Sequence, residues 1–151
     1  MNTAHSQCGT IEPHIAPRVM MNPPFPIRTE CPPGACICQR EALLQAEGGD
    51  IRILRLTREE ESRLIRRLES LASLQELRHM QERMFEQLGI RLDIGPGPNE
   101  VRTLRGIVIL VREQPGLCKK TRQSIPAAIR KSMELHPEIA FSLLDEGGLF
   151  A

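Results

Sequence analysis

The chain of 151 residues is 40% hydrophobic and 26% charged, with a formal net charge of +1, which is typical of one globular domain and excludes a strongly charged disordered chain. No run reaches the roughly 20 apolar residues that span a bilayer, and residues 1–8 lack the basic flank and apolar stretch of a secretory signal, so we expect a cytoplasmic protein. The aromatic residues are four Phe, with no Tyr or Trp, so the core must be built from Leu, Ile, Val and Met.

Residues 1–38 are expected to form an irregular N-terminal arm ahead of a single globular domain at 39–151. Prolines recur through this arm from Pro13 to Pro33 and block helix formation. Met21 is a second candidate start of translation, and its use would remove Cys8 from the protein. A short helix is predicted over 40–45, directly after the arm.

Three segments are predicted to be strands, at 51–56, 90–94 and 104–112. The first two alternate apolar and polar residues, and the third contains a run of β-branched residues. Residues 99–112 also fit an amphipathic helix, although Gly106 and the β-branched run favour a strand.

The clearest helix is predicted over 58–88, where Leu and Met recur at spacings of three and four. Thr57 and Glu60 form a capping box at its start, and Gly89 ends it. A break at 70–73 is an open alternative because the helix is long for a small domain. A further helix is predicted to be capped by Thr121 or Ser124 and to run to about 135, with Pro126 in its first turn. Pro137 opens a final short helix that ends at 147–148.

These elements predict a small α+β fold. A three-stranded sheet would be covered on one face by the long amphipathic helix, with the two C-terminal helices packed beside it. An all-helical fold remains the alternative if residues 99–112 are helical.

Three of the five cysteines, Cys31, Cys36 and Cys38, lie within eight residues in a C-x4-C-x-C pattern. Gly34 permits a tight bend between the first two, so the three sulfurs could converge on one tetrahedral ion such as zinc. The fourth ligand would be Cys118, His14 or a residue of a second copy of the chain.

The cofactor could also be an iron–sulfur cluster, since the pattern differs by one residue from the C-x4-C-x2-C loop of plant-type iron–sulfur proteins. That difference, and the distance of Cys118 along the chain, leave the family unassigned. Two other interpretations are a thiol redox switch that pairs two of the cysteines, and inert thiols in the arm.

Cys118 precedes Lys119, Lys120 and Arg122 at a predicted helix start, and both features would lower the pKa of its thiol. A half-buried structural cysteine is the alternative. His136 is the nearest histidine in sequence and would lie about 27 Å away along a helix. This distance argues against a cysteine hydrolase, so the sequence favours a non-enzymatic protein.

A second candidate site is a basic surface within residues 101–133, which hold eight basic residues against Glu113 alone. Such a surface could bind nucleic acid or an acidic protein partner. Its members are Arg102, Arg105, Arg112, Lys119, Lys120, Arg122, Arg130 and Lys131. The leading hypothesis is nevertheless a protein whose clustered cysteines bind zinc or an iron–sulfur cluster in a regulatory or structural role.

Overall fold

The computed structural model describes residues 25–32, 34, 36–97 and 104–146 of the chain. Short 3-10 turns occur at Ile51–Arg55 and Leu104–Gly106. The helices and strands in these ranges are α1 (Arg40–Gln45), α2 (Arg58–Glu69), α3 (Leu74–Leu88), β1 (Leu92–Pro96), β2 (Ile107–Val111), α4 (Lys119–Leu135) and α5 (Pro137–Glu146). The mixture of helix and strand confirms the α+β class, and β2 confirms the strand interpretation for its part of residues 99–112.

The sheet contains two antiparallel strands in the described ranges, so the prediction of three strands is wrong. Leu92 pairs with Val111 and Ile94 with Ile109, and these apolar side chains face the helices. Leu110, on the other face, is 55% exposed. Helix α4 packs on β2 and α5 packs on β1. The two C-terminal helices therefore cover the inner face, in place of the long helix that was expected there.

The segment predicted to form the third strand, 51–56, contains a 3-10 turn at Ile51–Arg55 instead. Asp50 caps this turn by accepting a hydrogen bond from the backbone N–H of Arg52 at 3.2 Å. The adjacent residues Ile53 and Leu54 are both fully buried, which a helical turn allows and an alternating strand does not. Burial of two consecutive apolar side chains therefore favours the 3-10 turn over a strand, despite the alternating pattern around them.

The predicted long helix is divided at 70–73 into α2 and α3. Thr57 caps α2 as predicted, by accepting from the N–H of Glu60 at 3.4 Å. A second capping box starts α3: Ser73 accepts from the N–H of Glu76 at 3.2 Å, while the Glu76 carboxylate accepts from the N–H of Ala72 at 2.9 Å. Gly89, with a φ of 70°, ends α3 as predicted.

Helix α4 begins earlier than predicted, because its N-cap position is Cys118, three residues before Thr121 and six before Ser124. Thr121 is buried instead of capping, and its hydroxyl donates to Glu61 at 2.8 Å. Pro126 lies inside the helix and not in its first turn. Helix α5 begins at Pro137 as predicted. The predicted stop at 147–148 lies outside the described residues.

The described core is aliphatic, as the composition predicted. Its fully buried side chains include Ile53, Leu68, Leu77, Ile125 and Met133, and no aromatic residue is among the buried residues of the described ranges. Helix α2 packs against α4, and α3 packs against both the first 3-10 turn and α5. This body presents the start of α4 to the segment that precedes α1, and the cysteines meet there.

Candidate metal centre

The structure brings together four cysteine sulfurs from two distant parts of the chain. Cys31, Cys36 and Cys38 come from the segment before α1, and Cys118 comes from the start of α4. All four Sγ atoms lie within 4.8 Å of one another, and those of Cys31 and Cys118 are 3.7 Å apart. The group is therefore compact enough for all four sulfurs to contact one ion.

The bend between the first two cysteines occurs at Gly34, whose φ of 79° lies in the left-handed region that glycine adopts without strain. A second positive φ, of 59°, occurs at Gln39, directly after the last clustered cysteine. A non-glycine residue pays a steric cost in this conformation. Here the backbone turns so that the N–H of Arg40 hydrogen-bonds the sulfur of Cys38.

Backbone hydrogen bonds attach this segment to the body of the domain. The N–H of Arg28 donates to the carbonyl of Leu54 at 2.7 Å, and the N–H of Gly116 donates to the carbonyl of Cys38 at 2.5 Å. The Arg40 side chain donates from Nε to the carbonyl of Arg28 at 3.0 Å. Three of the four thiols are thus held against the start of α4 by the backbone as well as by packing.

Arg28 is the charged residue at the centre of this arrangement. Its guanidinium donates to the carbonyl of Gly116 at 2.6 Å and lies 3.5 Å from the sulfur of Cys38. The Nε atom of Arg28 is buried without a hydrogen-bond partner in the described structure. Arg28 is half-buried, and a guanidinium in this position stabilises negative charge on the nearby Cys38 sulfur.

The pKa values of the thiols differ because their surroundings differ. Burial acts to raise the pKa of Cys38, but hydrogen bonds from the Arg40 N–H and the Cys36 thiol, together with the Arg28 charge, outweigh it and lower that pKa. Burial raises the pKa of Cys118, and a hydrogen bond with Cys36 adds to the shift against the opposing charge of Arg28. The prediction that cationic neighbours lower the pKa of Cys118 is therefore wrong, since Lys119 and Lys120 are exposed to solvent.

Burial also raises the pKa of Cys31, although its hydrogen bond with Cys118 opposes the increase. Among these three thiols, Cys38 therefore loses its proton most readily, whereas Cys31 and Cys118 hold theirs more tightly than an ordinary cysteine. Binding of a cation would displace those protons, because thiolates are the ligands of soft metal ions.

The structure describes one of the predicted candidates for the fourth ligand, Cys118. His14 lies outside the described residues, as does Cys8. Cys118 takes the position that the sequence left open, and no second copy of the chain is needed to complete a set of four. The sequence did not identify Arg28 as part of the site, although a lone basic residue three positions before Cys31 was a signal that could have done so.

The residues predicted to form a basic surface lie in the 3-10 turn before β2, directly after β2 and in α4, and Arg102 lies outside the described residues. Arg105, Lys119 and Lys120 are exposed. Ion pairs and a backbone bond engage the other four: Arg112 with Asp93 at 2.7 Å, Arg122 with Glu113 at 3.2 Å, Lys131 with Glu69 at 3.4 Å, and Arg130 with the Ile107 carbonyl at 3.1 Å. Binding of nucleic acid or an acidic protein to this surface stays a prediction.

None of the helices in the described part of the chain combines the length and apolar character that crossing a bilayer requires. Comparison of the chain with protein-family models, with curated proteins and with solved structures found no match. The functional argument therefore depends on the geometry of the four cysteines.

Proposed function

We propose that this chain is a zinc-binding protein whose ligands are Cys31, Cys36, Cys38 and Cys118. The observation that carries the proposal is the mutual proximity of the four Sγ atoms, all within 4.8 Å. Four sulfurs bound to zinc at about 2.3 Å stand about 3.8 Å apart at the corners of a tetrahedron. The 3.7 Å between the sulfurs of Cys31 and Cys118 matches that edge, and it is far longer than a disulfide bond of about 2.05 Å.

A single ion fits this spacing better than an iron–sulfur cluster. In a cluster the cysteines bind different iron atoms around an inorganic core, so their sulfurs stand further apart than around one metal. The largest separation here, 4.8 Å, needs only a small contraction to reach a tetrahedral site. Zinc is the common tetrahedral ion for four thiolates.

The role we propose is structural or regulatory and not enzymatic. Catalytic zinc sites keep a coordination position open for water or substrate, whereas four protein ligands close the site. A bound ion would tie the segment before α1 to the start of α4 and the adjoining turn at Gly116. Because thiol ligands must stay reduced, we place the protein in a reducing compartment and propose the cytoplasm.

Elemental analysis of protein prepared without oxygen tests this proposal. We expect about one zinc per chain, without stoichiometric iron or inorganic sulfide. Cobalt substituted for zinc is expected to give the intense visible absorption of tetrahedral coordination with thiolate charge transfer. Iron with equimolar sulfide would contradict the single-ion proposal, and protein with neither metal would contradict both.

A pair of matched variants locates the ion. Cys36→Ser removes one proposed ligand and is expected to abolish stoichiometric zinc, because the remaining three thiolates leave an incomplete site. Cys8→Ser makes the same chemical change at the cysteine outside the proposed set and is expected to keep the metal. Equal zinc content in the two variants would remove the assignment.

A further inference from the structure

A groove with a volume of about 860 Å³ lies between α2, α3 and the segment 25–29. Each helix contributes a stripe of residues at spacings of three and four, so one face of each lines the groove. The stripe on α2 is Glu60, Arg63, Leu64 and Arg67, and the stripe on α3 is Met80, Arg83, Met84, Gln87 and Leu88. The two faces form opposite walls of one cleft, at a place separate from the cysteines.

The floor of the groove is apolar but already largely covered. Leu64, Met80 and Met84 expose only 9%, 7% and 2% of their surface. An occupant would bury little additional apolar area, and the hydrophobic contribution to its binding scales with that area. Selectivity must therefore come from the charged residues along the rim.

The rim is strongly basic: five arginines line the groove against two glutamates. Glu60 pairs with Arg63 at 2.7 Å, and the guanidinium of Arg55 lies 5.0 Å from the ring centre of Phe25. The other three, Arg58, Arg67 and Arg83, form no ion pair within the described residues. These guanidinium groups are free to bind carboxylates in the bidentate manner that arginine favours.

We propose that this groove binds a short acidic peptide segment of a partner protein, which is a function separate from metal binding. The α2 wall from Glu60 to Arg67 is about 10 Å long, from the rise of an α-helix. That length holds about three residues of extended peptide. Carboxylate side chains at alternate positions would reach the arginines on the two walls.

Single-stranded nucleic acid fits the groove less well. Its continuous phosphate backbone would pass the carboxylates of Glu59 and Glu60, which line the same groove. Stacking of bases needs free aromatic faces, and the one aromatic residue in the described lining, Phe25, already has Arg55 over its ring. A peptide can place its acidic groups selectively, whereas a nucleic acid cannot.

Fluorescence polarisation with the full chain tests this proposal. The probe is a short fluorescein-labelled peptide of alternating glutamate and leucine, and its glutamine counterpart is the control. We expect Arg67→Glu and Arg83→Glu each to weaken binding of the acidic probe by roughly tenfold or more, since each replaces a charge-assisted hydrogen bond with repulsion. The glutamine probe is expected to bind at least roughly tenfold more weakly than the acidic one.

Arg66→Glu is the matched control for Arg67→Glu. Both residues are exposed on the same turn of α2, but Arg66 does not line the groove. Equal loss of binding in the two variants would overturn the proposal, because it would show a response to overall charge alone. Tighter binding of labelled oligothymidylate, or complete displacement of the peptide by equimolar pyrophosphate, would overturn it as well.

These outcomes are distinguishable from those of the zinc test. Arg67→Glu is expected to retain stoichiometric zinc and the melting temperature of Arg66→Glu, because neither side chain contacts the cysteines. Loss of peptide binding with metal retained supports a separate groove. Absence of zinc with peptide binding intact would contradict the metal proposal alone.

Discussion

Replacing Arg28 with methionine removes a cation that contacts the cysteine cluster. Zinc with four thiolates has a net charge of about −2, or roughly half a charge on each sulfur. At the 3.5 Å that separates the guanidinium from the Cys38 sulfur, half a charge interacts with Arg28 by about 2.4 kcal/mol at an effective dielectric constant of about 20. The cost of burying the guanidinium offsets part of this. We expect Arg28→Met to weaken zinc binding by roughly 10- to 100-fold, the range seen when outer-shell partners of metal ligands are removed.

Competition with a chromogenic zinc chelator measures the affinity directly. Arg40→Met is the control, because Arg40 also supports this segment through its side chain but hydrogen-bonds the sulfur only from its backbone. The zinc affinity of Arg40→Met is expected to fall less than that of Arg28→Met. Arg28→Lys is expected to have a zinc affinity between those of the wild-type chain and Arg28→Met. Equal affinities for Arg28→Met and Arg40→Met would refute the electrostatic reasoning and leave Arg28 with a packing role.

Three further predictions follow from the same region. Gly116 has a φ of 86°, and a Cβ there would lie 2.7 Å from Cγ2 of Ile53. Gly116→Ala is therefore expected to lower the free energy of unfolding, measured by urea denaturation, by about 1–3 kcal/mol. Gly48→Ala is the control, because Gly48 also has a positive φ but a Cβ there would meet no atom within 4 Å. Because the raised pKa values of Cys31 and Cys118 keep at least two protons for zinc to displace, zinc affinity is expected to fall by at least roughly a hundredfold for each unit that the pH decreases near neutrality. A chelator titration that does not depend on pH would contradict this. In metal-free protein, hydrogen peroxide is expected to oxidise Cys38 first, because its pKa is lowered and the thiolate is the reactive form. A second thiol of the cluster, whose sulfurs all lie within 4.8 Å of one another, would then complete a disulfide, so that peroxide accepts two electrons in total and gives two waters. Peptide mapping that finds Cys38 still reduced would rule out this prediction.

Local signals predicted much of the helical structure. The capping box at Thr57, the glycine at 89 and the proline at 137 each act within a few residues, and the structure uses all three as predicted. The prediction of a strand at 51–56 was wrong because an alternating pattern shows which side chains are buried, but it does not show whether a second strand is present to hydrogen-bond the backbone. A strand needs a neighbour from elsewhere in the chain, and no local pattern shows whether one is present.

The cysteine cluster, too, could be predicted only in part from local sequence. The C-x4-C-x-C spacing is local, so the convergence of Cys31, Cys36 and Cys38 could be predicted from the sequence. The approach of Cys118 to the other three cysteines depends on how α4 packs against the body, which is a tertiary property. Arg28 was missed for that reason too: its role follows from contacts with Gly116 and Cys38, which only the folded chain brings together.

The cysteines at the two ends of the cluster, Cys31 and Cys118, are separated by 87 positions. A bound ion would close a loop that contains more than half of the chain. If the ion stayed bound in the unfolded chain, closing a loop of this length would destabilise the unfolded ensemble by about 4.6 kcal/mol. That is a large share of the roughly 5–15 kcal/mol that holds a typical domain together. The lifetime of the protein against proteases would then rise and fall with the metal supply of its surroundings.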